Sequence, residues 1–320
     1  MSLPLVQISD PGFTSFLGFP TASDLETIEA DFAILGIPYG VPYDMRGTVS
    51  GASEGPLAVR KRSARFGRFL EHYDFDLGGE FLAGRPARVV DCGDVPADPR
   101  DITGNAGRAV AAVRAIVHRG AVPIVLGGDD SIPALVLRGL DGRGPIHVLQ
   151  IDAHIDFRDE VEGIREGYSS PMRRASEMPW VERIVHVGAR GVGSARPSDV
   201  ADTLKRGNAL ITAREVRDRG VERVIQEFPE GANFYIAIDC DGLDPSVMPG
   251  TSAPMPGGLS FREAADLIQG VVRRGNVIGM DIAEFFPSLD LQGITALAII
   301  RLITILIGTM ARKMSGEPQR

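Results

Sequence analysis

Eight short apolar runs, most of them rich in β-branched residues, recur along this chain, and the stretches between them carry the 3.6-residue period of helices. The runs are Asp31-Ile37, Ala87-Val90, Val122-Leu126, Ile146-Ile151, Ile184-Val187, Ala209-Ile211, Phe234-Ile238 and Val277-Met280. The helical stretches are Pro56-Phe66, Ala106-His118, Ile132-Leu140, Val200-Arg206, Ala213-Phe228, Phe261-Arg274 and Ile294-Met310. Because the runs do not alternate apolar with polar residues, a sheet built from them has no face that can meet water. Such strands need helices above and below, and helical crossovers of this length join parallel strands. The expected fold is a three-layer αβα sandwich, a single parallel, doubly wound sheet of about eight strands. No repeat, low-complexity stretch or linker divides the chain, which predicts one domain over residues 1–320. The most apolar segment, Ile294 to Met310, is interrupted by Arg301 and falls short of the ~20 residues of a bilayer span, so a buried terminal helix is expected.

Open parallel sheets place ligand sites at the carboxyl ends of their strands. Three of these ends carry acidic clusters: Asp129-Asp130, Asp152-Ala153-His154-Ile155-Asp156 and Asp239-Cys240-Asp241. Alternation along extended backbone turns Asp152, His154 and Asp156 to one side, and likewise Asp239 and Asp241. Carboxylates this close at a buried strand end repel one another unless a cation neutralises them. Turns and N-caps account for a single Asp, but three clusters on three strand ends point to a metal site. About five carboxylates and one imidazole within reach of one another suit hard or borderline divalent ions, Mn²⁺ before Zn²⁺.

A formal net charge of -8 argues against a nucleic-acid or anionic-membrane partner and favours a cationic substrate. Cys92 and Cys240 make no disulfide framework. Met1 to Asp10 has neither a basic n-region nor an apolar stretch. A cytoplasmic protein is expected.

The strings GGDDS (127–131), DAHID (152–156), DCDGLDP (239–245) with PGTSAPMPGG (249–258), and DIAEFFP (281–287) resemble, in order and spacing, the signatures of the ureohydrolases, the arginase and agmatinase family. ADFAILGIPYG near residue 30, GPLAVR at 55, DCGDV at 91 and SPMRRA at 170 extend the likeness over the whole chain, towards the agmatinase branch. The resemblance implies a binuclear Mn²⁺ centre, two ions per subunit with Ni²⁺ as the alternative, and a trimeric or hexameric homo-oligomer. It implies hydrolysis of a small cationic guanidino compound to urea and an amine by attack of a metal-bridging hydroxide. Asp152 and Asp239 correspond to ligands shared by both ions, His154 and Asp241 to further ligands of one ion, and Asp156 to a ligand of the other. Glu284 resembles the glutamate that pairs with the guanidinium. Asp244 is expected to orient the site from behind the ligands or to make the turn before Pro245.

Two positions depart from the family pattern. Where the family has the histidine of GGDHS, a metal ligand, this chain has Asp130, which keeps a ligating side chain but exchanges a neutral nitrogen for an anionic oxygen. Where agmatinases have a loop histidine implicated in proton transfer, alignment on Ser170-Pro171-Met172-Arg173-Arg174 puts Tyr168. The five histidines are His72, His118, His147, His154 and His186, of which only His154 falls in a motif. The leading reading is an amidinohydrolase with Glu284, Asp244 and Tyr168 as candidate catalytic residues. The alternative is a metal-poor, catalytically weak or inactive homologue that assembles with an active paralogue. A deacetylase of the related fold fits less well, because Glu284 lies in a guanidinium-type motif. The segments Tyr39-Glu54, with Ser53 in place of an arginine, and Phe157-Ser170 are expected to wall the site and select the substrate.

Overall fold

A computed structural model describes residues 4–8, 13–41, 43, 50–82, 84–85 and 87–316. Parts of Met1-Asp10 and most of the Tyr39-Glu54 wall, residues 42 and 44–49, lie outside them.

Each of the eight apolar runs is a strand: β1 Phe32–Gly36, β2 Val89–Asp94, β3 Val122–Leu126, β4 Ile146–Ile151, β5 Val181–Ala189, β6 Ala209–Thr212, β7 Asn233–Asp239 and β8 Asn276–Ala283. All pair in parallel, in the order β2-β1-β3-β8-β7-β4-β5-β6. Helices α1 Gly55–Ser63, α8 Phe261–Arg274 and α9 Ile294–Met314 cover one face, packing on Phe32, Ile34, Leu149, Ile236 and Ile238. Helices α2 Ile102–His118 and α3 Ile132–Gly139 cover the other, packing on Ala33, Leu35, Val148, Tyr235 and Ala237. Successive strand residues thus enter two apolar cores, which is why no alternation was visible in the sequence.

The stretch Ala213-Phe228 is two helices, α6 Ala213–Arg219 and α7 Glu222–Ile225, rather than one. Gly220, at φ 78° and ψ 164°, breaks the path, a conformation open mainly to glycine. Between strand β4 and β5 the chain makes the short helix α4 Pro171–Ala175, and Pro197–Lys205 forms α5. The hairpin of Tyr73–Asp74 with Gly79–Glu80 is too short for a sequence pattern to announce. Helix α9 has the length and hydropathy of a membrane span, but 78% of its most apolar window is buried inside the protein. Its interrupting Arg301 reaches Asp74 at 2.7 Å and Asp76 at 2.6 Å in the hairpin.

Two of the outlying motifs meet in the interior. Arg60 of GPLAVR is fully buried and donates to Asp91 of DCGDV at 2.8 and 3.0 Å, to Asp94 at 2.5 Å and to the Gly93 carbonyl at 2.9 Å. This network ties α1 to β2, far from the acidic strand ends. Those motifs serve the frame.

Candidate metal centre

The strands that carry the site residues, β3, β8, β7 and β4, are consecutive neighbours in the middle of the sheet. Register aligns their ends: Leu126 lies beside Ile282, Ala283 beside Asp239, and Ile151 beside Ile238. The segments leaving them therefore converge on one spot. Ligand atoms of Asp152, His154 and Asp241 lie within 4.8 Å of one another, and so do those of Asp130, Asp152 and Asp239. Asp152 belongs to both groups. Asp156 adjoins them through Gln150, whose amide donates to Asp152 at 2.7 Å and to Asp156 at 3.3 Å.

Local hydrogen bonds hold this convergence in place. Asp152 accepts from the His154 N–H at 2.6 Å, Asp239 from the Asp241 N–H at 2.8 Å, and Asp241 from the Ala153 N–H at 3.1 Å. The first two bonds fix each carboxylate on its own turn, and the third ties the turn after β7 to the one after β4. Arg190 closes the site from below, donating to the carbonyls of Asp241 at 2.6 Å and Met255 at 2.6 Å. Close approach requires glycine at two points: a Cβ on Gly193 would stand 2.3 Å from the His154 ring, and one on Gly242 2.6 Å from the Asp152 nitrogen.

The electrostatics are those of a site built around cations. Burial, reinforced by neighbouring carboxylates, pushes Asp130, Asp156 and Asp239 well above the usual carboxylate range and raises Asp241. Asp152 is held low: burial works against it, but hydrogen bonds with Asp156 and His154 prevail. In the metal-free protein, hydrogen bonds to Asp152 and Asp241 push His154 up to about 11, its ring 3.4 Å and 3.2 Å from those carboxylates, a counter-charge whose place a bound cation would take. One oxygen of Asp130 is buried with no hydrogen-bond partner. An orphaned buried carboxylate oxygen among mutually repelling acids fits a divalent cation better than a dry core.

Glu284 stands beside this group and faces the same cavity. Its backbone is left-handed, φ 59°, as is that of Asp156, φ 41°. Strain of this kind persists where the surroundings enforce it: here the Glu284 N–H is anchored on the Gly128 carbonyl at 2.9 Å. The carboxylate accepts from the Asp130 N–H at 3.0 Å and from Ser252 Oγ at 3.3 Å. Burial and then the charge of Asp129 raise it to about 8. It has no cationic partner among the described residues.

A cavity of about 360 Å³ opens over these groups, lined by Asp130, His154, Asp156, Asp239, Asp241 and Glu284 together with Tyr168, Phe286 and several serines. Tyr168 is 39% exposed and packs on Tyr43, ring centroids 4.4 Å apart. Burial, followed by Tyr43, Glu284 and Asp129, raises its phenol. Asp244 does not line the cavity. Its carboxylate accepts from Ser246 N at 3.0 Å, Ser246 Oγ at 2.7 Å, Gly257 N at 2.8 Å and Gly258 N at 3.2 Å. Those bonds, Ser246 first, hold it down to about 2, as a tie between two turns. Among the expected catalytic residues it alone stands apart, because the short turn after β7 spends its carboxylate on backbone amides.

Sequence reasoning passed over Gln150 and Ser252, and named Asp129 only as part of an acidic cluster. Ser252 lay within a quoted motif, and Asp129 beside Asp130. Gln150 had no signal except being the one uncharged polar residue close to the end of an apolar strand.

Residues 30–308 match the model of the arginase family. The chain belongs to that family. It is 31% identical over 313 residues to a guanidinopropionase of Pseudomonas aeruginosa, covering 93% of this chain and 94% of that one. It is 30% identical to an agmatinase of Pyrococcus horikoshii, over 89% of this chain and 93% of that one. The solved structure of proclavaminate amidino hydrolase from Streptomyces clavuligerus superposes with a TM-score of 0.79 at 27% identity, covering 97% of this chain and 99% of that one. The relatives are hydrolases of guanidino compounds, and the eight-stranded parallel sheet is the sheet of this fold.

Proposed function

We propose that this arginase-family protein is an amidinohydrolase that splits a guanidino compound into urea and an amine, with two Mn²⁺ ions held by Asp130, Asp152, His154, Asp156, Asp239 and Asp241. The observation that carries the reading is Glu284, a buried carboxylate without a cation, placed beside the carboxylate cluster. When bound, a pair of divalent ions supplies Lewis-acid charge and acidifies water, so that hydroxide is available near neutral pH.

The chain's own groups do the rest. Glu284 pairs with the planar guanidinium and orients its carbon towards the cluster. The Asp130 N–H and Ser252 fix the carboxylate so that binding does not have to order it. The phenol of Tyr168, raised by burial, stays protonated at neutral pH; it serves as a hydrogen-bond donor and wall, not as a base. Its aromatic pair with Tyr43 narrows the cavity mouth against bulk water.

The absence of an imidazole at positions 130 and 168 supports a second reading, in which the chain works as a subunit beside an active paralogue. Assembly as an oligomer and residence in the cytoplasm belong to the proposal too, and the two buried free cysteines suit a reducing compartment.

Elemental analysis of the purified protein, followed by a urea-release screen over agmatine, guanidino acids, guanidine and biguanides, tests it. Two equivalents of Mn²⁺ or Ni²⁺ with turnover supports the first reading. Turnover only after mixing with a paralogue supports the second. Absence of bound metal under reconstituting conditions overturns the first reading and leaves the second.

A further inference from the structure

Behind the carboxylate cluster runs a chain of buried polar side chains that the proposed chemistry does not use. Gln150 on β4 is 1% exposed, His186 on β5 and Thr203 on α5 are fully buried, and Asn208 is 8% exposed. Asn208 Oδ1 accepts from the Ile184 N–H at 2.9 Å, and its Nδ2 donates to Thr203 Oγ1 at 2.9 Å. Thr203 Oγ1 lies 2.9 Å from His186 Nε2, and His186 Nδ1 bonds to Gln150 Oε1. Gln150 Nε2 ends the chain on Asp152 and Asp156.

The direction of every bond follows from the two ends. A backbone N–H can only donate, so Ile184 settles the Asn208 amide with its oxygen on that N–H and its nitrogen donating to Thr203. At the other end Gln150 Nε2 donates to the two carboxylates, so Gln150 Oε1 accepts from His186 Nδ1 and the Nε2 of the neutral ring is left to accept from the Thr203 hydroxyl. His186 is then the neutral tautomer with its proton on Nδ1, which donates to Gln150 Oε1. The Gln150 amide is left with both N–H groups facing the two carboxylates. Burial, which lowers His186 to about 4, agrees with a neutral ring. Reversing any link would turn the Gln150 oxygen onto Asp152 and Asp156, oxygen against oxygen.

We propose that Gln150, oriented by His186, Thr203 and Asn208, is a positioning residue that sets the rotamers of Asp152 and Asp156 for metal binding. The inference rests on the reading of those two aspartates as ligands. Gln150 engages Oδ2 of each, while Oδ1 of Asp152 is fixed by the His154 N–H. The pair is thereby held before any ion arrives. The relay also couples the metal centre to α5, on which Thr203 sits.

The test is a Mn²⁺ titration by chelator competition of the parent protein, Gln150→Leu, Thr203→Val, Thr203→Ser and Asp152→Ala, with metal-free melting curves alongside. Loss of outer-shell partners typically weakens metal affinity ~10–100-fold. Gln150→Leu is expected towards the upper end of that range and Thr203→Val about tenfold, with Thr203→Ser at the parent affinity because the hydroxyl survives. A melting temperature lowered in Thr203→Val with unchanged affinity assigns a structural role only and overturns the proposal. Parent affinity in Gln150→Leu does the same. Failure of Gln150→Leu to fold leaves the Thr203 pair to decide. Parent affinity in Asp152→Ala sinks the ligand reading instead, a separate outcome.

Discussion

Replacing Glu284 with glutamine keeps the shape of the side chain and removes its charge. The site tolerates the change: the amide oxygen can take the Asp130 N–H, now accepted at 3.0 Å, and Ser252 Oγ can rotate to accept from the new NH₂. The loss therefore falls on the guanidinium. Taking away one partner of a buried charge pair costs about 3–5 kcal/mol. At about 1.4 kcal/mol per tenfold, kcat/KM for every guanidino substrate should drop at least ~100-fold. Metal content should be unchanged, because Glu284 belongs to neither ligand group. Urea release and elemental analysis on the same preparation measure both quantities. The variant carries an internal control for folding. Glu284 is raised to about 8, so in metal-free protein its stabilising contribution is present below the ordinary glutamate pKa and lost as pH rises through 8. Glu284→Gln has no such loss and should melt higher than the parent at pH 9. Parent kcat/KM with full metal content would refute the claim that the substrate is held there as a cation.

The remaining expectations concern the cluster and the frame. Asp239→Ala should lose most of both ions, measured by elemental analysis after dialysis, since it removes from the Asp130–Asp152–Asp239 group a carboxylate proposed to serve both ions. Arg60→Ala leaves Asp91 and Asp94 buried without their cation and should lower unfolding free energy by roughly 3–5 kcal/mol in denaturant titrations. Asp281, fully buried under Tyr235 and raised to about 8 by burial, binds its proton more tightly folded than unfolded. Metal-free parent should therefore lose about 3 kcal/mol from this group between pH 6 and pH 9, and Asp281→Asn should remove that part of the slope.

How much of this was legible in the chain depends on range. The eight strands could be read because all but the edge strand β6 are mostly buried on both faces, so their composition alone marks them. Asp152, His154, Asp239 and Asp241 could be read because i, i+2 spacing at a strand end is a local statement about direction. The break at Gly220 was missed because the helical period continues past it, and glycine within a helical pattern announces nothing by itself. Gln150 was missed for a deeper reason: its role lies in contacts with residues up to 36 positions away in sequence, and no pattern within β4 contains them. For Asp244 the sequence left two roles open, behind the ligands or in the turn before Pro245, because its neighbourhood is that of the site while its carboxylate reaches amides of Gly257 and Gly258 that only the fold brings near.

Asp130 alters the charge of the site in a way that reaches the substrate. Five aspartates around two divalent ions leave one negative charge, and Glu284 adds a second; a neutral imidazole at position 130 would leave one fewer. At an effective dielectric of about 20, a unit charge some 8 Å away from a substrate's tail changes its energy by roughly 2 kcal/mol. That is about thirtyfold for either tail, in opposite directions for the acid and the amine, before solvent screening reduces it. The native site should thus disfavour a carboxylate-tailed guanidino acid relative to agmatine. Asp130→His should shift the ratio of their kcat/KM values towards the acid by about tenfold while retaining metal, since imidazole suits Mn²⁺, Ni²⁺ and Zn²⁺ alike. Steady-state urea release on the two substrates at matched metal occupancy gives that ratio directly. An unchanged ratio would mean that the tail lies beyond the reach of the cluster's field; activity gained only on the substitution would mark the native chain as the inactive partner of another subunit.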